Sequence, residues 1–453
     1  MSTLSNEVAG FSCQLSYAYL PIEVREKVKT LLLHGLGVGL AAYNTETVRV
    51  ALEVGKKQGS GKATILIDGS QVTPAAAAFV NGVILHSRAQ EDNYKRGSIH
   101  PGVVIIPAAL AIGETAYSSG KDIIAALAAG YEIGCRLSRD FCRLSTKRGF
   151  RSTPVYGPAA AAITASKLLN LSKEQTMFAL GWAANLASGL LQCSIDKTTE
   201  MPFQAGLASQ HGVMATWLGQ AGAMSAKAIY EGEYGFYGAF TEKGSELGPI
   251  LEGLGEQYVL LETFSKPHPV GGGVQTPTSV MLSLTKENNI DPGEVEQVTI
   301  WMHPPEASYP GADSLKPGLV NAKYCTAVAC VHRKLTLDTL SQIDHPQVLS
   351  LMEKITVIAD DNLESMSCKL NIGMKDGRIF SKDAYLTPKD YCFSMEQDAE
   401  LMRSLIPEMD LPKERIEKII AMIKNLELCN DIHELMNILV FPGKKIIPNR
   451  LPF

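Results

Sequence analysis

The sequence predicts a mainly helical protein: a large all-helical domain joined to a smaller α/β domain. Three observations carry this reading. Segments rich in Ala, Leu, Ile and Met recur from the N-terminus to about residue 260. The Pro- and Gly-rich run KPHPVGGGVQTP, starting at Lys266, breaks that pattern and marks a domain boundary. Beyond it stands VEQVTIWM, whose alternation is that of a half-buried strand.

The elements follow in order. Helices are expected over Val24–Tyr43, Ile105–Ala116, Asp122–Leu137, Ala159–Leu169, Lys173–Gln192 and His211–Ala223. Ser172 stands three residues before Gln175, the spacing of a capping box. Gly120 followed by Asp122 suits a turn that opens the next helix. The many Ala and Gly residues on these helices permit close backbone approach, so core packing is their default role. After the boundary come a helix over Thr278–Asn288, a strand over Val295–Met302 and a helix over Lys323–Lys334. Strands over Ile355–Ala359 and Cys368–Met374 complete a unit that ends near Pro388. The tail, Ser394 to Leu439, returns to helical periodicity, with Ile416, Ile419, Ile420 and Ile423 on one face. The resulting division is 1–265, 266–392 and 393–453.

Composition excludes several classes. The chain of 453 residues is 45% hydrophobic and 20% charged, ordinary for a globular protein with two cores. A net charge of −5 without a basic run argues against nucleic acid. The N-terminus lacks the pattern of a signal peptide, and no run of eighteen apolar residues suggests a membrane span. The nine cysteines are scattered without a CxxC pair, which reads as reduced thiols in a cytoplasmic protein. HExxH is absent and no histidine pair has ligand spacing, so no metal is expected. Gly35, Gly37 and Gly39 lie inside a helical pattern and lack dinucleotide-binding spacing, so no nucleotide cofactor is expected either.

The chemistry concentrates between Ala75 and Pro107. An apolar helix pattern ends in a cluster of His86, Arg88, Gln90, Glu91, Asp92, Asn93 and His100, and an apolar segment then resumes. Acids, bases and amide donors enclosed by two buried helices suit a small anionic substrate. The alternative is a solvated inter-helix loop.

Asn81-Gly82, His86, Glu91-Asp92 and His100-Pro101-Gly102 resemble the signature of the MmgE/PrpD family. Three further blocks resemble it in the same order. They are Gly120-Lys121-Asp122 through Gly130-Tyr131-Glu132 to Arg136-Leu137, Gly157 through Ala165 to Leu171, and Gly206-Leu207-Ala208 to Gly212. The family includes 2-methylcitrate dehydratase, cis-aconitate decarboxylase and iminodisuccinate epimerase. The resemblance implies C-terminal helices that rejoin the helical domain, an α/β lid, a homodimer, and cofactor-independent proton transfer next to a carboxylate of a small di- or tricarboxylate.

On that resemblance His100 is the proton-exchanging group, with Asp92 and Glu91 orienting it or acting as base. His86, Arg88, Gln90, Asn93 and Arg151 are candidate substrate contacts, with Gln204 and Lys266 beside them. Tyr309, from the lid, is a candidate second proton donor. Lys197 and Gln204 could stand in for a lysine that cis-aconitate decarboxylases carry where this chain has Met201. Those enzymes also carry an aspartate at Ala89 and a histidine at Arg151; guanidinium cannot shuttle protons but clamps carboxylates. Gly271-Gly272-Gly273 could form an anion nest or a hinge. The leading expectation is a dehydratase-like hydro-lyase, followed by an epimerase and then a decarboxylase. The rivals are a carboxylate-binding relative without catalysis and a helical scaffold with a solvated loop.

Overall fold

The computed structural model describes residues 2–242, 248–309, 311–446, 448–449 and 451. Eleven helices come from the first 220 residues: α1 Leu4–Gln14, α2 Ile22–Ala42, α3 Glu46–Lys56, α4 Pro74–His86, α5 Gly102–Thr115, α6 Gly120–Arg139, α7 Cys142–Lys147, α8 Ser152–Leu168, α9 Lys173–Asn185, α10 Gln192–Asp196 and α11 Glu200–Gln220. The capping box of α9 forms, with the Gln175 N–H donating to Ser172 Oγ at 3.2 Å and the Ser172 N–H to Gln175 Oε1 at 3.0 Å. At α6 the cap is Ser119, one residue before Gly120, and Asp122 closes the box. The helix expected over Lys173–Gln192 ends at Asn185, and α10 restarts at Gln192.

The first 260 residues are not wholly helical. Ser60–Thr64 (β1) and Gln71–Val72 (β2) pair antiparallel. Asn81 holds this hairpin to α4: its Oδ1 accepts the Leu66 N–H at 2.9 Å and its Nδ2 donates to the Thr64 carbonyl at 3.1 Å. One large apolar core runs from Leu4 to Leu260 and takes up Ala399 to Phe441 as well, including Ile416, Ile419, Ile420 and Ile423. The C-terminal helices therefore bury their apolar faces in the helical domain.

A second core lies mostly between Val270 and Met374. Its sheet has the order β4-β3-β5-β6, with β3 Val295–Met302, β4 Ile355–Ala359, β5 Cys368–Met374 and β6 Ile379–Ala384. β3 pairs parallel with β4 and antiparallel with β5, placing Ile300 opposite Val357 on one side and Leu370 on the other. Helices Gln275–Glu287 and Ala322–His332 belong to the same core. Among the described residues, no helix is long and apolar enough to cross a membrane.

Candidate active site

The loop from Ser87 to Pro101 joins α4 to α5, and its first part, through Tyr94, is buried, while Arg96 and Ser98 face solvent. His86, Arg88, Gln90, Glu91, Asp92 and Asn93 are each 7% exposed or less. Such a polar loop is stable inside only if its groups find partners. Its backbone is pinned by reciprocal hydrogen bonds between Asn93 and Phe264, both 2.9 Å. Ala89 adopts a left-handed φ of 54°, rare for a residue with a Cβ, and its carbonyl accepts a hydrogen bond from Lys266 Nζ at 2.6 Å.

Glu91 is the hub. Its Oε1 accepts from Lys266 Nζ at 2.7 Å and lies 3.1 Å from His100 Nδ1, while its Oε2 lies 3.1 Å from His86 Nδ1. Burial alone would raise this carboxyl; His86, Lys266 and His100 hold it well below the usual range, so it is a carboxylate. Burial lowers the Lys266 ammonium, with Glu91 opposing.

His100 sits where α5 begins, and its backbone N–H donates to Thr153 Oγ1 of α8 at 3.1 Å. Its Nδ1 meets the Asp92 carbonyl at 2.9 Å. A carbonyl can only accept, so Nδ1 carries the proton and Nε2 keeps its lone pair. The imidazole is 19% exposed, the most open side chain of the cluster around Glu91. Burial, then the Lys266 cation, holds its pKa well below the usual histidine value, and the ring is neutral. Its centroid lies 5.4 Å from that of His86.

Arg151, the residue before α8, donates through NH2 to His86 Nε2 and through NH1 to the Met201 carbonyl at 3.0 Å. His86 Nε2 is therefore an acceptor, and its proton sits on Nδ1 facing Glu91. Burial lowers the His86 pKa, and Arg151 adds to this against Glu91. Gln204 supports Arg151, with Oε1 3.4 Å from NH1 and Nε2 donating to the Leu190 carbonyl at 2.9 Å. Tyr309 lies beside Arg151, Cys193 and Ser194; burial raises its phenol, which stays protonated at neutral pH. Lys266 and Arg151 stand against the single Glu91 carboxylate, so the cluster is cationic and suited to an anion.

Several sequence expectations need correction. Arg88 turns away from this cluster: Nε donates to Gln90 Oε1 at 2.7 Å, NH1 to the Ala41 carbonyl at 3.2 Å and NH2 to Glu408 at 3.1 Å. Gln90 is used by Arg88 and by the Pro267 carbonyl at 2.8 Å. Both are engaged in holding the loop. The Asp92 carboxyl is also engaged away from the His100 ring. It accepts from Tyr131 Oη at 2.6 Å and from the Gly102 N–H at 3.0 Å, and burial pushes its pKa up to about 6. Asp92 orients His100 through its carbonyl alone. Asn93 keeps a buried Oδ1 without a hydrogen-bond partner, and its Nδ2 is 3.5 Å from His100 Nδ1. In the glycine run, the Gly271 N–H already donates to the Leu319 carbonyl at 2.7 Å and Gly272 begins a short 3-10 turn, so no open nest forms.

The sequence reading missed three supports. Tyr131 fixes Asp92 and was visible only as part of the Gly130-Tyr131-Glu132 block. His34, buried in α2, bridges Asp398 Oδ1 and the Gln90 carbonyl, both at 2.8 Å, and nothing local distinguished it from core. Asp398 also accepts from Ser265 Oγ at 2.9 Å, next to Lys266. Among the described residues, no three His, Cys, Asp or Glu side chains are grouped to hold a metal ion.

Comparison with known proteins gives a consistent picture. The MmgE/PrpD N-terminal domain model matches residues 6–246 and the C-terminal domain model residues 268–420. A cis-aconitate decarboxylase-like protein of Aspergillus oryzae is 25% identical over 95% of this chain and 96% of its own length. The cis-aconitate decarboxylase of Homo sapiens is 25% identical over 97% of this chain and 95% of its own. That of Aspergillus terreus is 24% identical over 78% of each.

Proposed function

This chain belongs to the MmgE/PrpD family, and from that premise we propose that it is a cofactor-independent hydro-lyase for a small di- or tricarboxylate. Family membership and the decarboxylase relatives support lyase-type activity. Proton abstraction, the step that dehydration shares with epimerisation, rests on one observation: His100 is a neutral imidazole whose Nδ1 is engaged and whose Nε2 has no hydrogen-bond partner among the described residues. That is the geometry of a general base. Dehydration is put first because it is the best-represented reaction of the family.

In the proposed reaction, Arg151 and Lys266 draw in the substrate carboxylates, and Asn93 Oδ1 accepts from a substrate hydroxyl. His100 Nε2 takes the proton from the carbon next to a carboxylate. The Glu91 carboxylate near Nδ1 stabilises the imidazolium that forms, without itself taking the proton. The carbanionic charge spreads into the substrate carboxylate, where the cations stabilise it. The carbon–oxygen bond then breaks, and hydroxide leaves as water with the Tyr309 phenolic proton. Arg151 beside Tyr309 favours the phenolate until solvent returns the proton lost by His100.

A second reading, a carboxy-lyase, is favoured by the names of the relatives. It requires a proton to be delivered to carbon after carbon dioxide leaves. A histidine held neutral is a poor donor for that step, and Ala89 and Met201 place no acid or ammonium at their positions.

The test is proton NMR in deuterated water with 2-methylcitrate, citrate, cis-aconitate and iminodisuccinate in turn. Dehydration predicts deuterium at the carbon next to a carboxylate together with an unsaturated product. Exchange with inversion would instead identify an epimerase, and itaconate formation a decarboxylase. His100→Gln should lower turnover by about 10²- to 10⁴-fold; unchanged turnover would remove His100 from the mechanism. Because protonation of His100 is held below its ordinary range, kcat/KM should stay level from neutral pH down past 6.5 and fall only at lower pH. An acidic limb centred above 6.5 would contradict a neutral His100 base.

A further inference from the structure

Beside the proton-transfer cluster lies a cavity of about 390 Å³ lined by Ile195, Lys197, Tyr309, Gly311, Asp313 and Ser314, among others. Lys197 follows α10 in a left-handed conformation, φ 59°. Its Nζ is enclosed and has no hydrogen-bond partner among the described residues. A buried ammonium without an acceptor is costly, and such groups are retained where a ligand supplies what the fold withholds. The surrounding backbone makes room for it: a Cβ at Gly311 would collide with Nζ, and one at Gly318 would lie 3.0 Å away.

Among the described residues, no carboxylate pairs with this ammonium. Asp313, on the cavity wall, is paired with Lys323 Nζ at 2.8 Å. Lys316 adds positive charge nearby and, after burial and against Cys325, helps lower the Lys197 pKa. Tyr309 connects the two regions, since it lines this cavity and lies beside Arg151. One phenol thus stands near two cationic groups, Arg151 beside it and Lys197 on the wall of the cavity that it lines.

We propose that Lys197 is a specificity-determining residue that binds a substrate carboxylate remote from the reacting carbon. This rests on the polycarboxylate reading and deepens it. The preferred substrate then has three carboxylates, the third reaching past Tyr309 to Lys197 Nζ. Lys197 takes no part in proton transfer; its effect is on which acid is bound.

Calorimetric titration with two unreactive probes separates this inference from its premise. Tricarballylate carries a third carboxylate arm; succinate lacks it. The wild type should bind tricarballylate at least 10-fold more tightly than succinate. Lys197→Met should lose about 10-fold in tricarballylate affinity and less than 2-fold for succinate, and Lys197→Arg should retain the preference within about 3-fold. With the turnover substrate, K197M should raise KM and leave kcat within about 3-fold. The unliganded melting temperature of K197M should not fall, because no hydrogen bond is removed. Equal losses for both probes, an unchanged tricarballylate affinity, or a destabilised K197M that still prefers tricarballylate would each overturn the assignment while the polycarboxylate reading stands. Failure of the wild type to bind either probe would overturn both.

Discussion

At the scale of single residues, the site depends on one carboxylate holding three basic groups. Glu91→Gln keeps the shape but leaves Lys266 buried without its counter-charge. Breaking one partner of a buried pair costs about 3–5 kcal/mol, so E91Q should melt well below the wild type and lose turnover through a misplaced His100. Chemical denaturation with kinetics checks both; full activity at wild-type stability would refute the hub. Asp92 gives a different signature. Its folded-state pKa is raised to about 6, against about 3.9 unfolded. The folded protein therefore binds the extra proton between these values, and the stabilisation present below pH 4 is lost as pH rises through 6. The loss is about 3 kcal/mol. The stability difference between wild type and Asp92→Asn should shrink by that amount from pH 4 to 7, and a difference independent of pH would contradict it. Which of two adjacent acids faces His100 was not legible in the sequence. It is decided by backbone direction in the loop after the left-handed turn at Ala89, and no spacing rule encodes that.

At the scale of elements, small residues set how closely helices approach. α4 and α11 cross where a Cβ on Gly82 would lie 2.8 Å from Gly206 Cα, and one on Gly206 would lie 2.5 Å from the Phe79 carbonyl. Since α4 ends at His86 and α11 carries Met201 and Gln204, this crossing sets the distance between the two ends of the Arg151 clamp. Gly206→Ala should destabilise by about 1–3 kcal/mol through overpacking, despite a gain of about 1 kcal/mol in helix propensity. A rise in melting temperature would show that the helices have slack. Elements with strong periodicity were legible: β3 spans the residues that its alternation marks, because one face packs on a core and the other does not. The others lacked that contrast. β6, IFSKDA, is a half-exposed edge strand with no apolar row, and β1, SGKAT, is mostly exposed and held by Asn81 and Glu114 rather than by packing. The core role of the Ala- and Gly-rich helices was readable, but the long-range partners of His34 and Asp398 were not, since 364 residues separate them.

At the scale of the molecule, the two domains meet across the site. Lys95, on the loop between α4 and α5, donates to Glu306 Oε1 at 2.6 Å, and Glu306 also accepts from Ser365 Oγ at 2.8 Å. A homodimer is the assembly that the family resemblance implies, and sedimentation equilibrium should return about twice the chain mass of 48.9 kDa; a monomer mass would refute it.

The bridge from His34 through Asp398 to Ser265 has a temporal consequence. Lys266 and the Gln90 turn are both tied to a helix that emerges only after the whole α/β domain has been synthesised. The apolar core of the helical domain likewise waits for Ala399 to Phe441. A ribosome-bound chain that has exposed only its first 390 residues therefore carries all the proposed acid and base groups, yet lacks the strut that aligns them. Competence should appear only once residues 394–441 have emerged and docked.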